Sequence, residues 1–202
     1  MGGPLAILSA CAALCGRASS SAAASRQYLR ENDLAVRRLG DPDPIAKGCG
    51  LLVVTSIRRV GKTRFAFAEK GERGVPAAVI LVFGRDGTSV VDLAGWPMAR
   101  PTELRTMFGA ASMLGVSNVH RAATYAFGPL RVWRTALGWL RGGAAGAVIL
   151  NPPEAARDLL DAPGRIAGED HHHAVALAGL VASLFDKSRF VAPSTRSERE
   201  AA

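Results

Sequence analysis

Acidic residues are absent from the first 30 positions, lysine is scarce, and cysteine is both scarce and odd in number. The three cysteines, at 11, 15 and 49, follow no regular spacing, which argues against a disulfide framework. Cys11 and Cys15 are four apart with no His or Cys pair following at zinc-site spacing, so no metal role is assigned to them. The longest apolar runs reach about a dozen residues, as in Pro4–Cys15 and Ala174–Leu184. A membrane-spanning helix needs roughly 18–20, so no span is expected. Repeats and heptads are missing, which excludes solenoids and coiled coils. There is no G-x-S-x-G, no G-x-G-x-x-G and no Cys/His nucleophile pair, so no residue stands out as catalytic and no cofactor is expected.

What is present is an ordinary globular mixture. Of 202 residues, 49% are hydrophobic and 21% charged, which excludes wholesale disorder and suits one domain with a tail. Lys+Arg number 25 against 17 Asp+Glu, a net charge of +8. Arginine outnumbers lysine 21 to 4. Genomic GC bias is the preferred account of such a ratio; selection for guanidinium forks that grip phosphate or carboxylate is the alternative. The excess is uneven: residues 1–40 carry +3, 41–100 carry +3, 101–150 carry +4 and 151–202 carry −2. Such an imbalance favours attraction to polyanions and says nothing of fold.

The acid-poor start, rich in Ala, Ser and Arg, supports three readings. Leu8-Ser9-Ala10-Cys11 has the form of a lipoprotein signal, although no basic residue precedes the apolar stretch. The composition also fits an organellar transit peptide. The third reading is a loosely ordered extension, residues 1–20, of a cytosolic protein, and it is the one adopted.

Residues 21–186 read as one domain. Ser21–Leu39 is expected as a helix stopped by Gly40, followed by the stiff connector Asp41-Pro42-Asp43-Pro44. Leu51–Ile57, Thr63–Glu69, Val75–Phe83 and Thr88–Leu93 read as strands of an antiparallel meander, the third buried on both sides. Leu104, Met107, Phe108, Ala111 and Leu114 share a helical face, so the spacing predicts a helix over 101–114, stopped at Gly115. Strands are expected at 130–134, 146–150 and 164–167, and helices at 135–141, after the cap Asn151, and after the cap Asp170. Residues 187–202 read as a polar, flexible tail. The order gives a mixed α+β class: a β-meander packed with helices, then a strand–helix alternating C-terminal half.

Three stretches carry candidate chemistry. Ser56-Ile-Arg-Arg-Val-Gly61-Lys62-Thr63 matches the second half of a phosphate-binding P-loop, with Asp92 as a candidate magnesium ligand. Ser56 stands where the first glycine belongs, and residues 64–69 alternate like a strand where a P-loop opens a helix. A hairpin turn is the competing reading. The second stretch is Arg131, Trp133, Arg134, Trp139 and Arg141, where guanidiniums alternate with indoles as in nucleic-acid contacts; core tryptophans with a solvated arginine rim are the alternative. The third, Glu169-Asp170-His171-His172-His173, holds metal-ligating residue types. Consecutive positions on a helix do not face one another, so it reads as an exposed first turn, and isolated His120 reads as structural.

Arg131–Gly143, then Ile149-Leu150, then Ile166–Asp170 with His173-Ala174 resembles a group of plasmid- and prophage-borne proteins of high-GC alpha-proteobacteria to which no activity is attached. The resemblance covers about a quarter of the chain and implies a bacterial accessory protein. The sequence thus favours a basic, non-catalytic cytosolic module contacting nucleic acid or a protein partner. A degenerate P-loop hydrolase using Gly61, Lys62, Thr63 and Asp92 is the enzyme alternative, and an exported lipoprotein the third.

Overall fold

The computed structural model describes residues 3–34 and 52–185. The expected connector at 41–44, Cys49 and the expected tail lie outside the described residues. Among those described, five strands close into a barrel, a second sheet has four, and the class is mixed α+β as expected.

The chain starts with α1 (Pro4–Glu31). The expectation placed a helix from Ser21 and a loose segment before it. Instead helix begins at Pro4, and the apolar stretch is what orders it: Leu14 is fully buried, with Ala10 and Cys11 beside it against the barrel. The two legs, Pro4–Ala18 and Ser20–Glu31, meet at 82°. The bend has a local cause. Ser20 Oγ and Ser21 Oγ both donate to the Arg17 carbonyl at 2.9 Å, competing with the helical ladder. The second leg is pinned to the barrel by polar contacts. Ser25 Oγ accepts from Val54 N–H at 2.9 Å, and the Tyr28 hydroxyl accepts from the Trp96 indole at 2.9 Å.

The barrel strands are β1 (Leu52–Val60), β2 (Arg64–Phe67), β3 (Val75–Phe83), β4 (Val90–Pro97) and β5 (Arg105–Thr106). β3 pairs with β1 rather than with β2, so the order around the barrel is β2-β1-β3-β4-β5, with β5 meeting β2 in parallel at Arg64 and Thr106. The apolar run of β3 is buried on both faces, from Ala77 to Val82, as its composition predicts. Val53, Ile57, Phe65, Val79, Leu81 and Leu93 form one core with the first leg of α1. Leu52, Val54, Ile80, Val82 and Trp96 face the other way, into a core shared with the C-terminal half.

The expected helix over 101–114 does not form. The segment supplies β5, a strap through 107–112, and β6 (Met113–Leu114). The reason is Asp92, whose side chain is wholly buried on β4. Its Oδ1 accepts from the backbone N–H groups of Leu93, Met107 and Phe108 at 2.8, 3.1 and 2.9 Å. Its Oδ2 accepts from those of Ala110 and Ala111 at 2.7 and 3.3 Å. A helix would use these N–H groups internally; the carboxylate takes them instead. Gly115, read as a helix stop, adopts φ +69° and starts the short α2 (Val116–His120).

The C-terminal half follows the expected alternation closely. β7 (Leu130–Trp133), α3 (Ala136–Arg141), β8 (Ala147–Ile149), α4 (Pro152–Leu160), β9 (Ile166–Ala167) and α5 (His171–Ala182) form a sheet ordered β6-β8-β7-β9 with helices packed on it. Asp170 caps α5 by accepting from His173 N–H at 2.8 Å, and Thr135 caps α3. Asn151 makes no side-chain cap, and Glu154 pairs with Arg157 rather than reaching back.

Replacing Asp92 with alanine takes the carboxylate acceptor from five buried or half-buried N–H groups, of which Met107 N–H keeps the Leu93 carbonyl at 2.9 Å, and is expected to cost about 3 kcal/mol or more in urea unfolding. Asp92→Asn turns one acceptor oxygen into a donor facing two N–H groups and is expected to lose a comparable amount. A loss below about 1 kcal/mol in both would remove Asp92 from this role.

Candidate functional site

The strand register gathers arginine at one end of the barrel. Ile57 of β1 faces Val75 of β3, and Ala77 of β3 faces Pro97 of β4, so the end of β1, the start of β3 and the end of β4 share a rim. Between them lies a groove of about 760 Å³. Its floor is apolar, from Ile57, Val75, Pro76, Pro97 and Met98, and Val75 is 46% exposed. Its walls carry Arg58, Arg59, Arg73, Arg100 and Arg105 against a single lining carboxylate, Glu103.

These guanidiniums are held in place by two backbone carbonyls and two carboxylates. Arg105 Nη1 donates to the Lys62 carbonyl at 2.9 Å, tying the groove to the β1–β2 hairpin. Arg59 Nε donates to the Gly61 carbonyl at 2.6 Å. Glu103 is shared by Arg105 at 3.0 Å and Arg100 at 2.6 Å, and hydrogen bonds from these two hold its carboxyl below the usual range. Glu72 pairs with Arg58 at 3.2 Å. The five lining arginines exceed the two carboxylates that touch them, so the groove keeps a positive excess next to an apolar floor.

Gly61, Lys62 and Thr63 form the hairpin turn between β1 and β2, with Gly61 at φ +68° and Val60 paired to Arg64. No helix starts there, so no N-terminal dipole and no ring of N–H groups faces an anion. Asp92 is buried and spent on the strap, away from any magnesium role. The P-loop reading is corrected on both counts: the motif's letters fall on a turn whose glycine serves hairpin geometry.

The residues of the Arg131–Arg141 block are dispersed. Trp139 is core, its indole donating to the Gly146 carbonyl at 3.2 Å. Trp133 packs across α3, where a Cβ on Gly142 would lie 2.4 Å from its ring, and donates to the Ala145 carbonyl at 2.8 Å. Arg134 binds Asp170 through both terminal nitrogens, at 2.7 and 2.8 Å, and Glu169 at 3.3 Å, so its charge is already answered. Arg141 donates to the Asn32 carbonyl at 3.1 Å, at the end of α1. Arg131 is exposed, as Arg134 and Arg141 are, and its guanidinium lies 4.8 Å over the Trp133 ring.

The histidine run is a helix start. His173 Nδ1 accepts from Glu169 N–H at 3.2 Å, while His171 and His172 contact each other edge to face. No group of three His, Cys, Asp or Glu among the described residues is placed to hold a metal. His120 is structural in a specific sense: its Nε2 lies 3.1 Å from Asp158 Oδ1, which also pairs with Arg85 of the β3–β4 turn. Asp158, 2% exposed, thereby ties α4 to both the barrel and α2. Burial, with the neighbouring Cys15 adding to it, pushes the Cys11 thiol up. No single helix among the described residues is long and apolar enough to cross a membrane.

The barrel groove was missed in the sequence because its arginines are spread over nearly 50 positions. The signal lies in the basic connectors Arg58-Arg59-Val-Gly-Lys62 and Gly71-Glu-Arg73-Gly74, which join successive strands. No protein-family model matches the chain, and neither a curated protein nor a solved structure matches it.

The Arg134 lock carries a pH dependence. Hydrogen bonds from Arg134 first, then from His173 N–H, hold the Asp170 carboxyl far below its ordinary value. Burial first, then Arg134, lowers His173. Both groups bind protons more readily in the unfolded chain, so their contributions are present at neutral pH and are lost on acidification. The melting temperature is expected to fall from about pH 7 to 5 as His173 takes up a proton in the unfolded chain, and further from about pH 5 to 2 as Asp170 does; the second fall is expected to be smaller in Arg134→Ala, which loses the largest cause of the Asp170 shift. An identical decline in the two proteins would remove the lock from the acid response.

Proposed function

We propose that this protein is a non-catalytic binding module that holds the phosphate backbone of nucleic acid in the arginine groove at the end of its barrel. The observation that carries this reading is the concentration of five guanidiniums around one groove with a single lining carboxylate. Guanidinium forks match phosphate oxygens in pairs, and each contact releases condensed counterions, which makes binding salt-dependent. The chain's net charge of +8 adds long-range attraction. The surface differs from the one expected at Arg131–Arg141, because Arg134 is neutralised within the fold and Trp139 is core. A cytosolic accessory role, as the resemblance of the C-terminal stretch implies, suits a module of this kind.

The test is fluorescence anisotropy with a labelled oligonucleotide over a salt series. Wild-type protein is expected to bind at ~50 mM salt and to weaken as salt rises. Arg59→Ala/Arg73→Ala is expected to weaken binding for all sequences and to reduce the log–log salt slope by about 1–2. Arg134→Ala is expected to leave affinity within about twofold. Absence of wild-type binding at ~50 mM salt, or an unchanged slope in the double variant, would overturn the reading.

A further inference from the structure

One large apolar side chain has no cover at all. Phe127 is 100% exposed. It sits in the four-residue link Ala126-Phe127-Gly128-Pro129, between the 3-10 turn Ala122–Tyr125 and β7. The base of this link is firmly built. The Tyr125 hydroxyl donates to the Val119 carbonyl at 2.7 Å. The Tyr125 ring fills the space over Gly164, where an added Cβ would lie 2.3 Å from a ring carbon. Leu130 N–H donates to the Arg165 carbonyl at 2.8 Å, closing the other side. The tip is open, with nothing within 4 Å of a Cβ built on Gly128. A fixed stem thus displays a bare aromatic ring.

Two arginines lie near this link, with one exposed carboxylate, Asp161, in the loop that leads to Arg165. Arg165 precedes β9 at the same end of the second sheet and is exposed. Along β7, Leu130 and Val132 are buried, while Arg131 is exposed with its guanidinium over the Trp133 ring. Residues 104–153 contain no Asp or Glu, so this stretch of sequence brings no carboxylate to the loop or to β7. Beside the ring, the exposed Ala126 and Pro129 add only a small apolar area. That is small for anchoring in lipid, which scales with buried apolar area, and enough for one base. Stacking on an aromatic ring or a guanidinium plane, beside cations that meet the backbone, is how unpaired bases are held.

We propose that Phe127, with Arg131 and Arg165, is a stacking platform for an unpaired base, so that the protein prefers single-stranded over duplex nucleic acid. This rests on the nucleic-acid reading of the barrel groove and adds a second contact that the groove does not supply. A paired base inside a duplex offers no free face to Phe127, so only single strands gain from it.

The experiment compares an oligo-dT strand with a duplex of equal length at one low salt concentration, by anisotropy, for wild type, Phe127→Ala, Phe127→Trp and Arg59→Ala/Arg73→Ala. Phe127→Ala is expected to weaken single-strand binding by about 5- to 100-fold, to leave the duplex within about twofold, and to leave the salt slope unchanged, because no charge is removed. Phe127→Trp is expected to restore the affinity. Wild-type-like single-strand binding by Phe127→Ala, equal losses on both forms, or no rescue by tryptophan would overturn the stacking platform. So would a Phe127-dependent association with phosphatidylglycerol vesicles in place of the strand effect. If the groove variant loses binding and Phe127→Ala does not, the platform alone falls. If wild type binds neither form, the groove reading falls with it. The replaced side chain touches nothing in the fold, so loss of structure does not confound the comparison.

Discussion

Asp92 is the point on which the two halves of the molecule depend. A carboxylate with no exposed surface is costly unless its lone pairs are met, and here five backbone N–H groups meet them without a cation. The donors lie on β4 and on the strap that leaves β5. By holding the strap in a non-helical path, Asp92 does two things at once. It keeps β5 in place to close the barrel against β2, and it delivers β6 to the edge of the second sheet. A single buried side chain therefore fixes both the closure of one unit and its junction with the next.

The N-terminal helix completes the barrel from outside. Its first leg fills the core with Leu14, and its second gives β1 a hydroxyl and Trp96 a phenolic oxygen. These are directional bonds to groups that otherwise lie buried without partners, so they set where the helix sits rather than merely that it packs. The bend at the serine cluster lets one helix serve two cores. A straight helix of 28 residues would run about 42 Å and leave the barrel after half its length.

Arginine plays three different parts in this chain. Arg134 and Arg85 are structural, each bound to carboxylate on another element. Arg105 and Arg59 brace the hairpin through carbonyls at the groove, and Arg105 also pairs with Glu103. Arg73, Arg131 and Arg165 are exposed at turns and strand ends. Residue type and sequence clustering do not separate these parts. The tightest cluster of arginine and tryptophan in the sequence is the one most absorbed by packing, whereas the groove draws its arginines from four separated segments. Partners decide the difference, since an arginine clamped by two carboxylates has little field left for a ligand.

The sequence by itself determined the local elements wherever short-range chemistry dominates. The β-branched run of β3, the hairpin turn at Gly61, the cap at Asp170 and the strand–helix alternation from β7 onward depend on neighbours within a few residues, and all were legible. The mixed α+β class followed from them. Only the tertiary structure decided the rest. The 101–114 segment has a helical apolar face, yet it stays non-helical because Asp92, on a buried strand before it, claims four of its N–H groups. The pairing of β3 with β1 rather than β2, the closure through β5 and the gathering of Arg58, Arg73, Arg100 and Arg105 onto one rim all depend on register between distant strands. Register is fixed by burying both faces of β3, a constraint that exists only once the barrel has formed.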